Sequence, residues 1–120
     1  MTTNPKFHEV FERLRAILKT YESQLALVDN LPERYYLNGQ YSQNYKKDLF
    51  FGSTIIQKNY VSFYLMPVYM YPDLLETISP ALKKRMQGKS CFNFKSVDEN
   101  LFAELETLTE LGFERFKLEK

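Results

Sequence analysis

The apolar positions of the chain follow a helical period at each end and an alternating one in between. Near the N-terminus Phe7, Val10, Phe11, Leu14, Ile17, Leu18 and Tyr21 form one stripe along a helix of 3.6 residues per turn. Asn4 suits the N-cap and Pro5 the first helical position, while His8 falls at the edge of the stripe. Near the C-terminus Leu101, Phe102, Leu105 and Leu108 make a second stripe. Ser96-Val97-Asp98-Glu99 reads as its capping box and Gly112 as its stop, with Phe113 and Phe116 packing back on the core.

The middle of the chain reads as strands. Residues 25–28 are short and apolar, and Leu31-Pro32 breaks them. Residues 34–37 form a second strand that ends at Asn38-Gly39, a strong two-residue turn signal. Residues 40–48 are polar and read as a loop or a ragged strand. Residues 49–56 form a longer strand in which Gly52 marks a bulge or a close backbone approach. After a turn at 57–59 the chain returns over 60–66. Period-2 alternation puts Val61, Phe63 and Leu65 on one face, and Tyr60, Ser62, Tyr64 and Met66 on the other.

Pro67 ends that strand, because proline cannot donate to a central ladder. Tyr71-Pro72 opens a short helical stretch, Ser79-Pro80 opens another, and Gly88 is the stop. Residues 91–95 form the last strand, with Cys91, Asn93 and Lys95 on one face and Phe92 and Phe94 on the other. This order predicts an α+β fold. An antiparallel sheet of about five strands carries the N- and C-terminal helices on one face. At 120 residues the whole chain, 1–120, is expected to be one domain.

Composition narrows the function classes. Hydrophobic residues make 44% and charged residues 26%, the balance of a folded domain rather than a disordered one. Sixteen basic against fifteen acidic residues leave +1, so no global charge draws the chain to nucleic acid or membrane. The sole cysteine, Cys91, has no internal disulfide partner, which points to a reducing, cytoplasmic compartment. Residues 1–6 lack the apolar run of a signal peptide, and no apolar run approaches the ~18 residues of a membrane span, so no membrane partner is expected. A monomer or weak homodimer is the expected state.

The aromatic content is unusual: nine Tyr and ten Phe, with eight of the Tyr between positions 35 and 71. Tyrosine joins an apolar ring to a hydroxyl that needs a partner or water. The cluster reads either as sheet aromatics on a half-exposed face or as a phenol-lined cleft.

Little else carries chemistry. Lys83, Lys84, Arg85, Lys89 and Lys95 make a basic stretch without an acid, which most simply is a solvated face; nucleic acid is disfavoured as a partner. Gly88-Lys89-Ser90 imitates the tail of a phosphate-binding loop, but position 83 is Lys where the motif needs Gly, and a strand follows instead of a helix. Cys91 and His8 are the sole candidates for a thiol–imidazole pair. Position 91 reads as buried strand and position 8 as helix surface, so no catalytic residues are assigned. One His and one Cys do not supply a metal site, and no metal or cofactor is assigned. What remains is a ligand-binding candidate: Tyr36, Tyr60, Tyr64, Tyr69, Lys89 and Ser90. A lysine beside phenols can hold an anion or stack on a ring.

The segments Tyr60-Val61-Ser62-Phe63-Tyr64-Leu65-Met66-Pro67-Val68-Tyr69 and Met86-Gln87-Gly88-Lys89-Ser90-Cys91-Phe92-Asn93-Phe94-Lys95, with Glu104-Leu105, Leu108 and Gly112-Phe113, resemble the YdhG-like domain family of bacterial proteins. The resemblance runs over nearly the whole chain and implies an α+β domain with helices against a curved antiparallel sheet. Most members of that family have no assigned activity, and some are described as frataxin-like iron chaperones. The resulting expectation is a non-enzymatic binding module whose Tyr-rich pocket takes a small ligand, anionic or otherwise, or a peptide. An intracellular iron chaperone using carboxylates of the long helices is the alternative, and an enzyme of unfamiliar type ranks last. Glu9, Glu12 and Glu22 of the first helix are offset by Arg13, Arg15 and Lys19, which places the iron reading second.

Overall fold

The N-terminal stripe folds as helix α1, Pro5–Lys19, and buries Phe7, Val10, Phe11, Leu14, Ile17 and Leu18. This computed structural model describes residues 5–42 and 46–117. Asn4, expected to cap α1, and Tyr45 of the Tyr-rich stretch lie outside the described residues. After α1 come strands β1 (Ala26–Leu31), β2 (Arg34–Ser42), β3 (Lys47–Ile56) and β4 (Val61–Leu65). Short helices α2 (Met66–Met70) and α3 (Pro80–Lys83), with a 3-10 helix Pro72–Thr77 between them, lead to β5 (Cys91–Phe94) and to α4 (Glu99–Phe116).

The sheet has five antiparallel strands in chain order, β1-β2-β3-β4-β5. The expected α+β class and strand number hold. Both terminal helices cover one face: Leu18 of α1 abuts Gly52, and the Phe102 ring of α4 meets Phe94 edge-on at 5.1 Å. That face carries Tyr35, Leu37, Val61, Phe63, Leu65, Phe92 and Phe94, all buried. Among the described residues neither long helix covers the other face. Two rows of directly opposed residues cross it from edge to edge: Asp29, Tyr36, Ser53, Tyr64, Cys91 and Leu31, Arg34, Ile55, Ser62, Asn93.

Several local signals are overruled. The first hairpin turns at Pro32-Glu33, so β1 runs on to Leu31 instead of stopping near 28. Asn38-Gly39 is not a turn but lies inside β2, where the register with β3 shifts between Asn38 and Tyr41. The Phe116 ring of α4 occupies the place a Cβ at position 39 would take, so glycine is required for packing. The polar stretch 40–48 contributes the end of β2 and the start of β3. Gly52 does mark a close approach: a Cβ there would stand 2.9 Å from the Tyr64 carbonyl oxygen and 3.0 Å from Leu18.

Gly112 does not stop the last helix, which continues to Phe116; a Cβ at 112 would stand 2.9 Å from the Pro67 ring. Helix α4 is capped by Asp98, whose carboxylate accepts from the Leu101 N–H at 3.1 Å, and not by Ser96. Gly88 lies five residues beyond the end of α3 with φ of +82°, in the turn that leads into β5. Positive φ is easy for glycine because it lacks a Cβ.

Candidate functional site

The open face is joined to a cleft at one end of β4 and β5. The turn before β4 is closed by the Gln57 N–H donating to the Tyr60 carbonyl at 2.8 Å, which fixes Tyr60 at the strand end. Opposite it, α3 is held by its cap. The Ser79 hydroxyl accepts from the Leu82 N–H at 3.2 Å, and Glu104 of α4 accepts from both the Ser79 N–H and its hydroxyl at 2.7 and 2.8 Å. Beyond α3 the chain runs beside β5. The Asn93 N–H donates to the Arg85 carbonyl at 2.8 Å, Met86 bridges Phe92, and the Gln87 N–H donates to the Cys91 carbonyl at 2.9 Å.

This arrangement leaves an open cleft of about 330 Å³. Three cations line it, Lys84, Arg85 and Lys95, together with Tyr60, Met86, Gln87 and Asn93. Among the described residues no carboxylate lines it. Of the five arginines, Arg13, Arg15, Arg34 and Arg115 each pair with a carboxylate, whereas Arg85 has no such partner among the described residues. Neither Lys84 nor Lys95 forms an ion pair among the described residues. Like charges brought together without counter-charge attract an anion and repel one another when it is absent.

Behind the cleft lies a side-chain network. The Ser62 hydroxyl and the Cys91 thiol both donate to Asn93 Oδ1, at 2.9 and 3.4 Å. Asn93 Nδ2 donates to Gln87 Oε1 at 2.7 Å. The Tyr64 hydroxyl sits against Cys91 and Ser62; burial, then the neighbouring Cys91, pushes its pKa above the usual phenol value. Burial also pushes the Cys91 thiol up, against the hydrogen bonds of Tyr64 and Ser62.

The expected site residues are spread over the cleft, the open face and the segment after β4. Tyr60 lines the cleft. Tyr64 lies in the middle of the open face, and Tyr36 is in the same row with Ser53 of β3 between them. Tyr36 packs against Phe50 at 4.7 Å, with the Arg34 guanidinium 4.9 Å over its ring and Arg34 bound to Asp29 at 2.7 Å. Tyr69 is 55% exposed and pairs with Lys89, whose Nζ stands 5.9 Å from the ring centroid. Ser90 contributes its backbone carbonyl, which accepts from the Leu65 N–H at 3.0 Å. The stretch after β4 packs on α4, through Pro67 against Gly112 and an Asp73–Arg115 ion pair of 2.9 Å.

Sequence reading passed over Lys84, Arg85, Met86, Gln87, Asn93 and Lys95 as ligand contacts. The signal was present, since the acid-free basic stretch precedes a strand whose Asn93 and Lys95 share a face. What it lacked was the pairing of 85–87 with β5.

Cys91 lies on the open face and His8 on α1, which covers the opposite face, so the sheet separates them. Four of the carboxylates on or beside the long helices are engaged: Glu12 with Arg15, Glu99 with Arg13, Glu22 with the Tyr35 hydroxyl and Glu104 with Ser79. Among the described residues no three of His, Cys, Asp and Glu gather as metal ligands. No helix of the described residues is long and apolar enough to cross a membrane. No protein-family model, curated protein or solved structure matches the chain.

Proposed function

We propose that this chain is a binding domain for a small anion, seated in the cleft between Tyr60 and the 84–87 segment. The observation that carries the reading is the meeting in one cleft of three cations that have no carboxylate partner among the described residues. Arg85 offers a planar fork for paired oxygens, Lys84 and Lys95 add point charges, and Tyr60 adds a ring edge and a hydroxyl. These groups hold an anion through charge and charge-assisted hydrogen bonds, which is the basis for reading the cleft as a binding site. The α+β layout is the class that the YdhG-like resemblance implies, and a fold class by itself names no ligand. An iron-carrying role has no three-ligand cluster to rest on among the described residues.

The test is an anion screen followed by NMR on the backbone amides. Saturable shifts centred on Arg85, Met86, Gln87 and Lys95 are expected, and an Arg85→Gln/Lys95→Gln variant should lose them. Shifts that scatter over the surface without saturating would end this reading.

A further inference from the structure

The cleft is poor in acceptors as well as in carboxylates. Asn93 Oδ1 is occupied by the Ser62 hydroxyl and the Cys91 thiol, so its amide nitrogen is turned toward Gln87. Gln87 Oε1 accepts that hydrogen bond, which leaves the Gln87 amide N–H groups for a ligand. The cleft thus presents three cations and a directed amide donor.

We infer that the ligand is a phosphomonoester, its phosphate held by Arg85, Lys84, Lys95 and the Gln87 amide and its organic group against Tyr60 and Met86. This rests on the anion-binding reading above and names its class. A phosphomonoester carries roughly −1.5 to −2 charges near neutral pH and three strong acceptor oxygens. A carboxylate or a phosphodiester offers one charge and two terminal oxygens, too little to satisfy three unpaired cations and an amide donor. Arginine's fork matches two phosphate oxygens at once, and lysines serve as point charges beside it. Tyr60 and Met86 supply a flat ring and a polarisable thioether on the apolar side. At about 330 Å³ the cleft suits a small ester.

The probe is phenyl phosphate, compared with benzoate and methyl phenyl phosphate on the full chain at constant ionic strength, read from the amides of Arg85, Met86, Gln87 and Lys95. Phenyl phosphate should bind roughly tenfold or more tightly than either comparison anion, as expected when added negative charge and a third charge-assisted oxygen contact are gained. Gln87→Met should weaken phenyl phosphate about threefold to tenfold, the worth of one hydrogen bond. Lys19→Gln, on α1 across the sheet, should leave it unchanged. If benzoate or methyl phenyl phosphate shifts the same amides with equal or higher affinity, the phosphomonoester assignment is overturned while anion binding stands. If none of the three anions shifts those amides, both fall.

Discussion

Asn93 donates its side-chain N–H to the Gln87 side-chain carbonyl at 2.7 Å, and this contact ties the open face of the sheet to the cationic cleft. On its other side Asn93 accepts from Ser62, a hydroxyl that is only 1% exposed. The two ends of the contact therefore carry different loads. Asn93→Leu should cost about 1–3 kcal/mol, because it orphans a buried donor. Gln87→Ala, at the exposed end, should stay within about 0.5 kcal/mol. Urea unfolding measures both, and equal costs would contradict this division.

Cys91 should be inert in the native state. Burial raises its thiol pKa, so less of the nucleophilic thiolate is present near neutral pH than for a free cysteine. Alkylation should be slow in the folded chain and fast in urea. Rapid native labelling would reopen a redox or nucleophilic role.

Gly39 and Gly112 should each resist substitution. A methyl at 39 meets the Phe116 ring, and one at 112 meets Pro67. Gly39→Ala is expected to cost about 1–3 kcal/mol by overpacking, despite alanine's fitness for strand backbone over glycine. At 112 the same overpacking competes with a helix-propensity gain of about 1 kcal/mol, so the net loss should be smaller. A neutral or stabilising Gly39→Ala in denaturant titration would refute the close approach.

Stability should fall in alkali, with Tyr35 as a main source. Its ring is fully buried and its hydroxyl donates to Glu22 at 2.5 Å. Burial first, then Glu22, raises its pKa above the ordinary phenol value. A raised folded pKa contributes stability that is complete below the unfolded value of about 10 and is lost as pH rises beyond it. Tyr64 and Tyr21 act in the same direction, both chiefly through burial. Tyr35→Phe should cost about 1 kcal/mol at pH 7. It should also flatten the decline between neutral pH and pH ~10.5. Unfolding curves at the two pH values test this, and an unchanged slope would remove Tyr35 as the source.

Glu104 should control the order of the segment that builds the cleft. Its carboxylate accepts from the Ser79 N–H and hydroxyl, and the Ser79 hydroxyl caps α3. Glu104→Ala should cost about 1–2 kcal/mol and Ser79→Ala about 1 kcal/mol. Amide exchange should quicken from Leu82 to Gln87 in both. Unchanged protection there would mean that α3 is held by packing alone.

Much of the architecture was legible because it depends on spacing along the chain. The stripes from Phe7 to Leu18 and from Leu101 to Leu108 are set by 3.6-residue periodicity and are buried as expected. Val61, Phe63 and Leu65 share the buried face because strands alternate. Pro67 closes β4 because it lacks an N–H, and Ser79-Pro80 opens α3 because serine can cap and proline fits the first turn.

The three-dimensional fold decided the cases in which one residue type answers two needs. Glycine serves a turn, a helix stop or a close approach equally well in a sequence. At 39 and 112 the choice was made by Phe116 and Pro67, which are far away along the chain. The site follows the same rule. Lys84, Arg85 and Lys95 belong to a visibly basic stretch that holds no acid from Ile78 to Val97. Their meeting with Tyr60 depends on backbone hydrogen bonds that lay 85–87 along β5 and β5 along β4. Local composition specifies which charges exist, but the repulsion between them, and therefore the anion they call for, arises only when long-range pairing brings them together.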